Sequence, residues 1–425
     1  MKVMRATFFL FISFYLVFSF VFIGETRELS IKQLQERKKL DLERKKRMEK
    51  KGKKAFQKKI TLSSEIVFLS KEREVPPVLS NLDPILEDEG FYGVKLAIED
   101  NLTTGRFIGH DYKVEFHRIS FEENLENEFK KLLKKGKKFF VVDLNHNELM
   151  SLMKIPGIDE SLVFNTRAKN DSLRNEDCRK NFFHLTPSYS ILSDALTQYL
   201  VKKKWKKWFL VTGPKENDRL YSDALKKSAK KFNIKIKEEK TWDFSSDLRR
   251  TAGKEVPIFT KGSNYDVLVV ADEAGEFGEY LSYRTWDPRP IVGTQGLKPN
   301  SWHRTHEQWG ATQMQNRFRR ESGRWMTEVD YHAWTAVRAI GEAVTRIQTN
   351  DVKKVQEYLL SDEFGLGAYK GVKVSFRSWN GQLRQPVLLA APRSMVSVSP
   401  QEGYIHPKSE LDTLGKDSPE SACKF

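Results

Sequence analysis

Two stretches of the chain set side by side groups that could act on a substrate or hold a metal. The run Trp302-His303-Arg304-Thr305-His306-Glu307 brings two imidazoles next to a carboxylate. Its order is HxxHE, neither HExxH nor HxxEH, and zinc would need both histidines on one face plus a third ligand from elsewhere. Asp272-Glu273 is a carboxylate pair at the end of an apolar run. General acid–base work would require a partner whose pKa is driven apart from theirs, and no neighbour in sequence supplies one. No GxGxxG follows a strand-like run, and there is no GxxxxGK[ST] phosphate loop and no GxSxG elbow. The expectation is a protein that is not an enzyme, with no cofactor and no metal. Cys178 and Cys423 are the two cysteines. They are too few for a disulfide scaffold and too far apart for a CxxC motif. Pairing in an oxidising compartment and two unpaired thiols both stay open.

The net charge of +16 suggests nucleic acid until it is located. Residues 31–60 carry fourteen Lys/Arg against four acids, and residues 61–425 hold only about +5. A folded nucleic-acid reader needs its basic stripe on the globular part, so that class is excluded. At the N-terminus, Lys2 and Arg5 precede an apolar run from Phe8 to Ile23, broken only by Ser13 and Ser19. This is short for a bilayer span and fits an export signal better. No A-x-A precedes Gly24, so residues 1–24 are read as a signal peptide or a retained anchor. Residues 25–60 read as a Lys/Arg-rich linker: a solvated tether, or a segment drawn to anionic lipid headgroups through residues 31–60.

From Glu65 onward, short apolar runs alternate with amphipathic segments. Glu65–Ser70, Tyr112–Ile119, Phe139–Leu144 and Ser161–Thr166 read as strands, with helices over 88–102, 124–135 and 146–154 between them. A second series has strands at Trp208–Thr212, Ile234–Lys240, Asp266–Ala271 and Pro290–Gly293, with helices over 189–204 and 218–232. Strands without polar alternation imply parallel sheets covered on both faces. Helices over 331–348 and 352–360 follow. A hairpin around Asn380-Gly381 is expected to pair Val372–Phe376 with Pro386–Ala390. The fold class is α/β, with two doubly wound three-layer lobes. Such lobes put the carboxyl ends of their strands beside a shared crevice. The tryptophans at 302, 309, 325, 334 and 379 are expected in the core rather than as a ligand platform.

Several stretches resemble one narrow family: ADEAGEFGEYLSYRTWDPRPIVGTQGL, WHRTHEQWGATQMQNRFRRESGRWMTEVDY, SFRSWNGQLRQPVLLAAPRSMVSVSPQEG and SELDTLGKDSPESAC, with PPVLSNLDPILEDEG and LAIEDNLTTGRFIG upstream. The family is that of type 1 periplasmic binding proteins serving an ABC transporter linked to the pyrroloquinoline quinone (PQQ)-dependent alcohol dehydrogenase system. The resemblance implies the fold of leucine/isoleucine/valine-binding proteins, a periplasmic location, a small-molecule ligand, and a permease and ATPase as partners. It implies three crossovers, placed near 184–188, 296–302 and 365–371. Lobe one is then 61–186 plus 303–365, lobe two 187–300 plus 366–398, and 399–425 a C-terminal tail. Ligand contacts are expected where strands end at the cleft. From lobe one these are Ser80, Asn81, Asn145, Asn165, Thr166 and Arg167, the last as a bidentate carboxylate partner. From lobe two they are Tyr221, Asp272, Glu273, Trp286 and Gln295, with the two acids either recognising an ammonium or hydroxyl or capping the next helix. The unusually long basic linker leaves a second reading: a membrane-tethered accessory or sensor protein that acts through partners.

Overall fold

The computed structural model describes residues 59–74, 85–243, 248–262, 264–423 and 425, with backbone only for 248–250. The signal or anchor segment, nearly all of the linker, and Ser80 and Asn81 lie outside the described residues.

The first sheet contains β1 (Leu62–Lys71), β2 (His110–Ile119), β3 (Phe139–Asp143), β4 (Leu162–Asn165) and β5 (Phe182–His184), in the order β2-β1-β3-β4-β5 and parallel throughout. Successive side chains of β1 point to opposite faces. Ile66 and Phe68 enter a core with helices α1 (Phe91–Ile108) and α9 (Glu328–Ile347), numbered in chain order. Val67 and Leu69 enter the opposite core, with α2 (Leu125–Lys134) and α3 (His146–Leu152). Burial on both faces is why the run is apolar without alternation. α1 and α9 pack closely because Gly93 faces the Asp330 carbonyl; a Cβ there would come within 2.1 Å of it.

The second sheet contains β6 (Lys207–Thr212), β7 (Lys235–Thr241), β8 (Val267–Ala271) and β9 (Ile291–Gly293), in the order β7-β6-β8-β9, again parallel. α4 (Tyr189–Lys202) and α5 (Glu216–Lys231) cover one face, and α6 (Leu248–Thr260) with α7 (Gly278–Leu281) the other. The edge strand β7 alternates exposed and half-buried residues and carries lysines and glutamates, a composition that discourages pairing with another sheet. Two three-layer lobes result. α8 (Ala311–Ser322), α9 and α10 (Val352–Leu359) return the chain to the first. Among the described helices, none is long and apolar enough to cross a membrane.

Two expectations need correction. Lys373–Phe376 (β12) pairs with Leu383–Arg384 (β13), not with the strand over 386–390. That strand, β14 (Val387–Ala391), joins β10 (Lys298–Asn300) and β15 (Ser394–Ser399). The division follows side-chain burial. Leu366, Val374, Phe376 and Leu383 fill the first lobe's core, whereas Val387 and Leu389 fill the second's. The third passage between lobes therefore falls between Leu383 and Val387, downstream of the expected 365–371, and residues 366–383 pack with lobe one.

Cys178 and Cys423 are disulfide-bonded, with Cα atoms 5.7 Å apart. The tail that carries Cys423 puts Leu414 into the second core, and Asp412 accepts hydrogen bonds from Arg377 (2.8 Å) and Arg384 (2.9 Å). The tail thus reaches both lobes before its covalent link to Cys178.

Candidate functional site

A cavity of about 500 Å³ opens where β4 ends, beside two of the crossovers. Thr166, Arg167 and Lys169 line it from the β4 loop, and Thr186 from the first crossover. Trp302, His303 and Arg304 come from the second crossover, and the turn into α9 adds Arg324–Val329 and His332. Leu86 and Glu89, before α1, close it. The volume lies in the range of small-ligand sites.

The β4 loop is shaped by Asn165. Its carboxamide oxygen accepts from the backbone N–H of Arg167 (3.1 Å) and Ala168 (2.9 Å), while its NH2 donates to Ala168 O (2.8 Å). Asn165 is fully buried and spent on the turn. The amides that a ligand carboxylate would seek at this strand end are already occupied. Thr166 lines the cavity, but its hydroxyl donates to Val142 O (3.0 Å).

Arg167 was expected to grip a ligand carboxylate. It grips the protein's own: both oxygens of Asp143, and Glu89 at 2.5 Å. Asp143 also receives Arg73 at 2.5 Å. Burial works against the Arg167 charge, but Asp143 and Glu89 outweigh it and raise its pKa. Arg324 is held the same way, by Asp88 (2.9 Å) and Asp330 (2.6 Å).

Glu273 does bind an ammonium, that of Lys169, with its two oxygens 2.9 and 3.3 Å from Nζ. Lys169 follows a strand of the first sheet and Glu273 a strand of the second, so the pair bridges the lobes. Burial disfavours the Lys169 charge, yet Glu273 and Glu328 together raise its pKa. Burial raises the Tyr189 pKa, and the Glu273 charge adds to the rise. Close by, Asp171 of lobe one accepts from the Ser190 N–H (3.2 Å) and hydroxyl (2.5 Å) at the start of α4.

The remaining expected residues among those described do not line the cavity. Asn145 is the N-cap of α3, accepting from Glu148 N–H at 3.0 Å. Asp272 caps the turn into α7, accepting from the N–H groups of Glu276, Phe277 and Gly278. Tyr221 is buried against Tyr189 (centroids 5.7 Å apart), and burial pushes its pKa up. Trp286 is exposed under Lys261. Gln295 packs against Gly278. In the HxxHE run, His306 Nε2 is spent on Tyr369 O (2.7 Å) and His303 Nδ1 on Thr305 (2.7 Å). Among the described residues, no group of three potential ligands converges.

Sequence reasoning passed over Lys169, Trp302, Trp325 and His332. Lys169 was within reach, two positions past Arg167 on the same loop. The tryptophans divide. Trp334 is core, whereas Trp309 is half-exposed. Trp302 is buried on Tyr331 (4.5 Å) and yet lines the cavity, and Trp325 is 41% exposed and lines it too. His332 Nδ1 lies 2.7 Å from Thr166 O, so Nδ1 carries the hydrogen and donates, and Nε2 is left as an acceptor. Burial lowers its pKa to about 3, which keeps the ring neutral.

A family sequence model described as "Periplasmic binding protein" matches residues 123–254. No curated protein matches the chain. Solved structures share the architecture at low identity. A periplasmic binding protein from Burkholderia mallei aligns with TM-score 0.61 and 15% identity, covering 85% of this chain and 98% of that one. A branched-chain amino acid ABC transporter periplasmic ligand-binding protein from Burkholderia xenovorans gives 0.62 and 16%, covering 79% and 95%. The branched-chain amino acid transporter substrate-binding protein LivJ from Streptococcus pneumoniae, solved with isoleucine, gives 0.58 and 14%, covering 79% and 98%. The chain has the two-lobed fold of type 1 periplasmic binding proteins.

Proposed function

We propose that this chain is an extracytoplasmic solute-binding protein that takes a small ligand into its interlobe cleft and delivers it to the permease and ATPase of an ABC importer. One observation carries the reading: a ligand-sized cavity sits against two crossovers, and the residue beside it, Lys169, is tied across the cleft to Glu273. A ligand that prefers the closed arrangement shifts the lobes toward it, and a transporter can read that change. The likeness to transporter-associated binding proteins supports the role. The periplasmic setting and the link to a PQQ-dependent alcohol dehydrogenase system rest on the sequence resemblance. Ser80, Asn81 and the anionic-membrane role of residues 31–60 remain part of the proposal.

A second reading, a membrane-tethered accessory or sensor protein, is favoured by the self-paired charges of the cleft. The two separate experimentally. Thermal shift and small-angle scattering of the full chain are run against alcohols, aldehydes, quinones, amino acids and short acids. A saturable rise in melting temperature with contraction of the particle supports ligand capture. No response, together with an uncleaved N-terminus, overturns it in favour of the second reading.

A further inference from the structure

Resting on the solute-binding reading, we infer that the cavity selects an uncharged hydroxyl compound with an apolar body, an alcohol or a phenol, rather than an amino acid or a carboxylic acid. A zwitterionic amino acid needs a seat for each charge. The carboxylate seats are taken: Arg167 already carries Asp143 and Glu89, Arg324 carries Asp88 and Asp330, and Asn165 occupies the two loop amides. The ammonium seats are taken as well. Lys169 fills Glu273, and Glu328, whose charge already acts on Lys169, spends Oε1 on the Ser301 N–H (2.5 Å) and hydroxyl (2.7 Å). Seating a charged ligand would strip a half-buried ion of its partner, which costs more than a new contact of the same kind returns. The Arg304 guanidinium is the exception at the mouth. It is exposed and donates to Pro392 O at 2.9 Å, where water screens it.

What the cavity does offer is apolar surface, backed by two lining residues that each hold a buried polar atom without a partner. Trp325 presents 41% of its surface, with Arg319 stacked 4.3 Å from its ring. Met326, Val329 and Leu86 extend the apolar wall. Trp302 and His332, each only 2% exposed, also line the cavity. Trp302 Nε1 and His332 Nε2 are closed to water and have no partner among the described residues. One is a donor and the other, by its tautomer, an acceptor. Buried polar atoms are ordinarily paired, and a hydroxyl is a neutral group that both accepts and donates through one atom. The chemistry is complementary to R–OH and not to R–COO⁻ or R–NH3⁺.

Probes sharing one ring and one chain length test this. Tryptophan fluorescence and thermal shift of the full chain are followed with 2-phenylethanol, phenylacetate, 2-phenylethylamine and L-phenylalanine. Saturable binding of 2-phenylethanol is expected at least about tenfold tighter than any charged probe. Trp302→Phe, which keeps an aromatic ring on Tyr331 and removes the donor, should weaken it by about tenfold in a protein that still melts cooperatively, and His332→Phe removes the acceptor together with the bond to Thr166 O. Tighter binding of L-phenylalanine or phenylacetate overturns the ligand class and leaves solute capture standing. Silence toward all four and toward the wider panel, in a protein that melts cooperatively, overturns both.

Discussion

At the crossovers, buried polar side chains hold backbone carbonyls; at the cleft face, half-buried side chains hold one another. Arg174, 5% exposed, donates to Ala168 O (2.8 Å), Asn170 O (3.0 Å), Thr186 O (2.8 Å) and Gln382 Oε1 (2.8 Å). Gln382 returns its NH2 to His184 O and Thr186 O, both at 3.1 Å, and Gln385 donates to Leu185 O at 2.6 Å. Lys370 links Ser301 O on the second crossover to Pro386 O (3.2 Å) on the third. These acceptors are fixed by the backbone and sealed from water, so each donor has nowhere else to go. Arg167 and Lys169 are 30% and 27% exposed, and their partners are side chains that can rotate. The contrast assigns permanence to the hinge and exchange to the cleft.

The sharpest way to break that contrast is Arg174→Met. The substitution keeps most of the volume and leaves Asn170 O and Gln382 Oε1 without a donor, while Ala168 O keeps Asn165 and Thr186 O keeps Gln382. Each buried orphan costs about 1–3 kcal/mol, partly offset by no longer burying a charge. A net loss of about 3 kcal/mol in urea unfolding is expected. A loss below about 1 kcal/mol would put the hinge on the same footing as a surface pair.

Much of the scaffold was legible because burial on both faces leaves a plain mark. Ile66–Leu69 and Val267–Ala271 are unbroken apolar runs, and both are central strands. Phe182–His184 escaped because three residues carry no period, and α6 because Pro257 lies inside it. The site was harder for a different reason. Arg167 could be named from its strand end, but its partners, Glu89 and Asp143, are 78 and 24 positions away. Lys370 reads like any exposed lysine until Ser301 and Pro386 close over it, and a side chain's exposure is set by segments far along the chain.

Lys370 sharpens the comparison through pH. Burial pushes its pKa down from 10.5 to about 7, with Glu328 pulling weakly upward. Above pH 7 the folded protein sheds a proton that the unfolded chain keeps until about 10.5. The unfolded state then binds more protons, and stability rises with pH across that window. Relative to Lys370→Met, the wild type should gain roughly 1 kcal/mol per pH unit between about pH 7 and 9, read from urea unfolding at several pH values. A flat difference would mean that the Lys370 amine is not sealed, and that the hinge admits water as the cleft does.

The smallest effect is expected at Lys169 and Glu273, and it is the one that reports on motion. With 27% and 14% of their side chains exposed, the pair is screened by water, and its coupling in a double-mutant cycle should be about 1 kcal/mol. Glu273→Gln keeps one oxygen for Lys169 to meet but removes the charge that raises the Lys169 pKa. Lys169→Met removes the bridge itself. Scattering should therefore show a modest expansion for Glu273→Gln and a larger one for Lys169→Met, while urea stability changes little in either, because the crossover bonds are untouched. If either variant lost as much stability as Arg174→Met, the cleft pair would be a structural bond like those at the hinge, and a ligand would have no exchangeable contact through which to move the lobes.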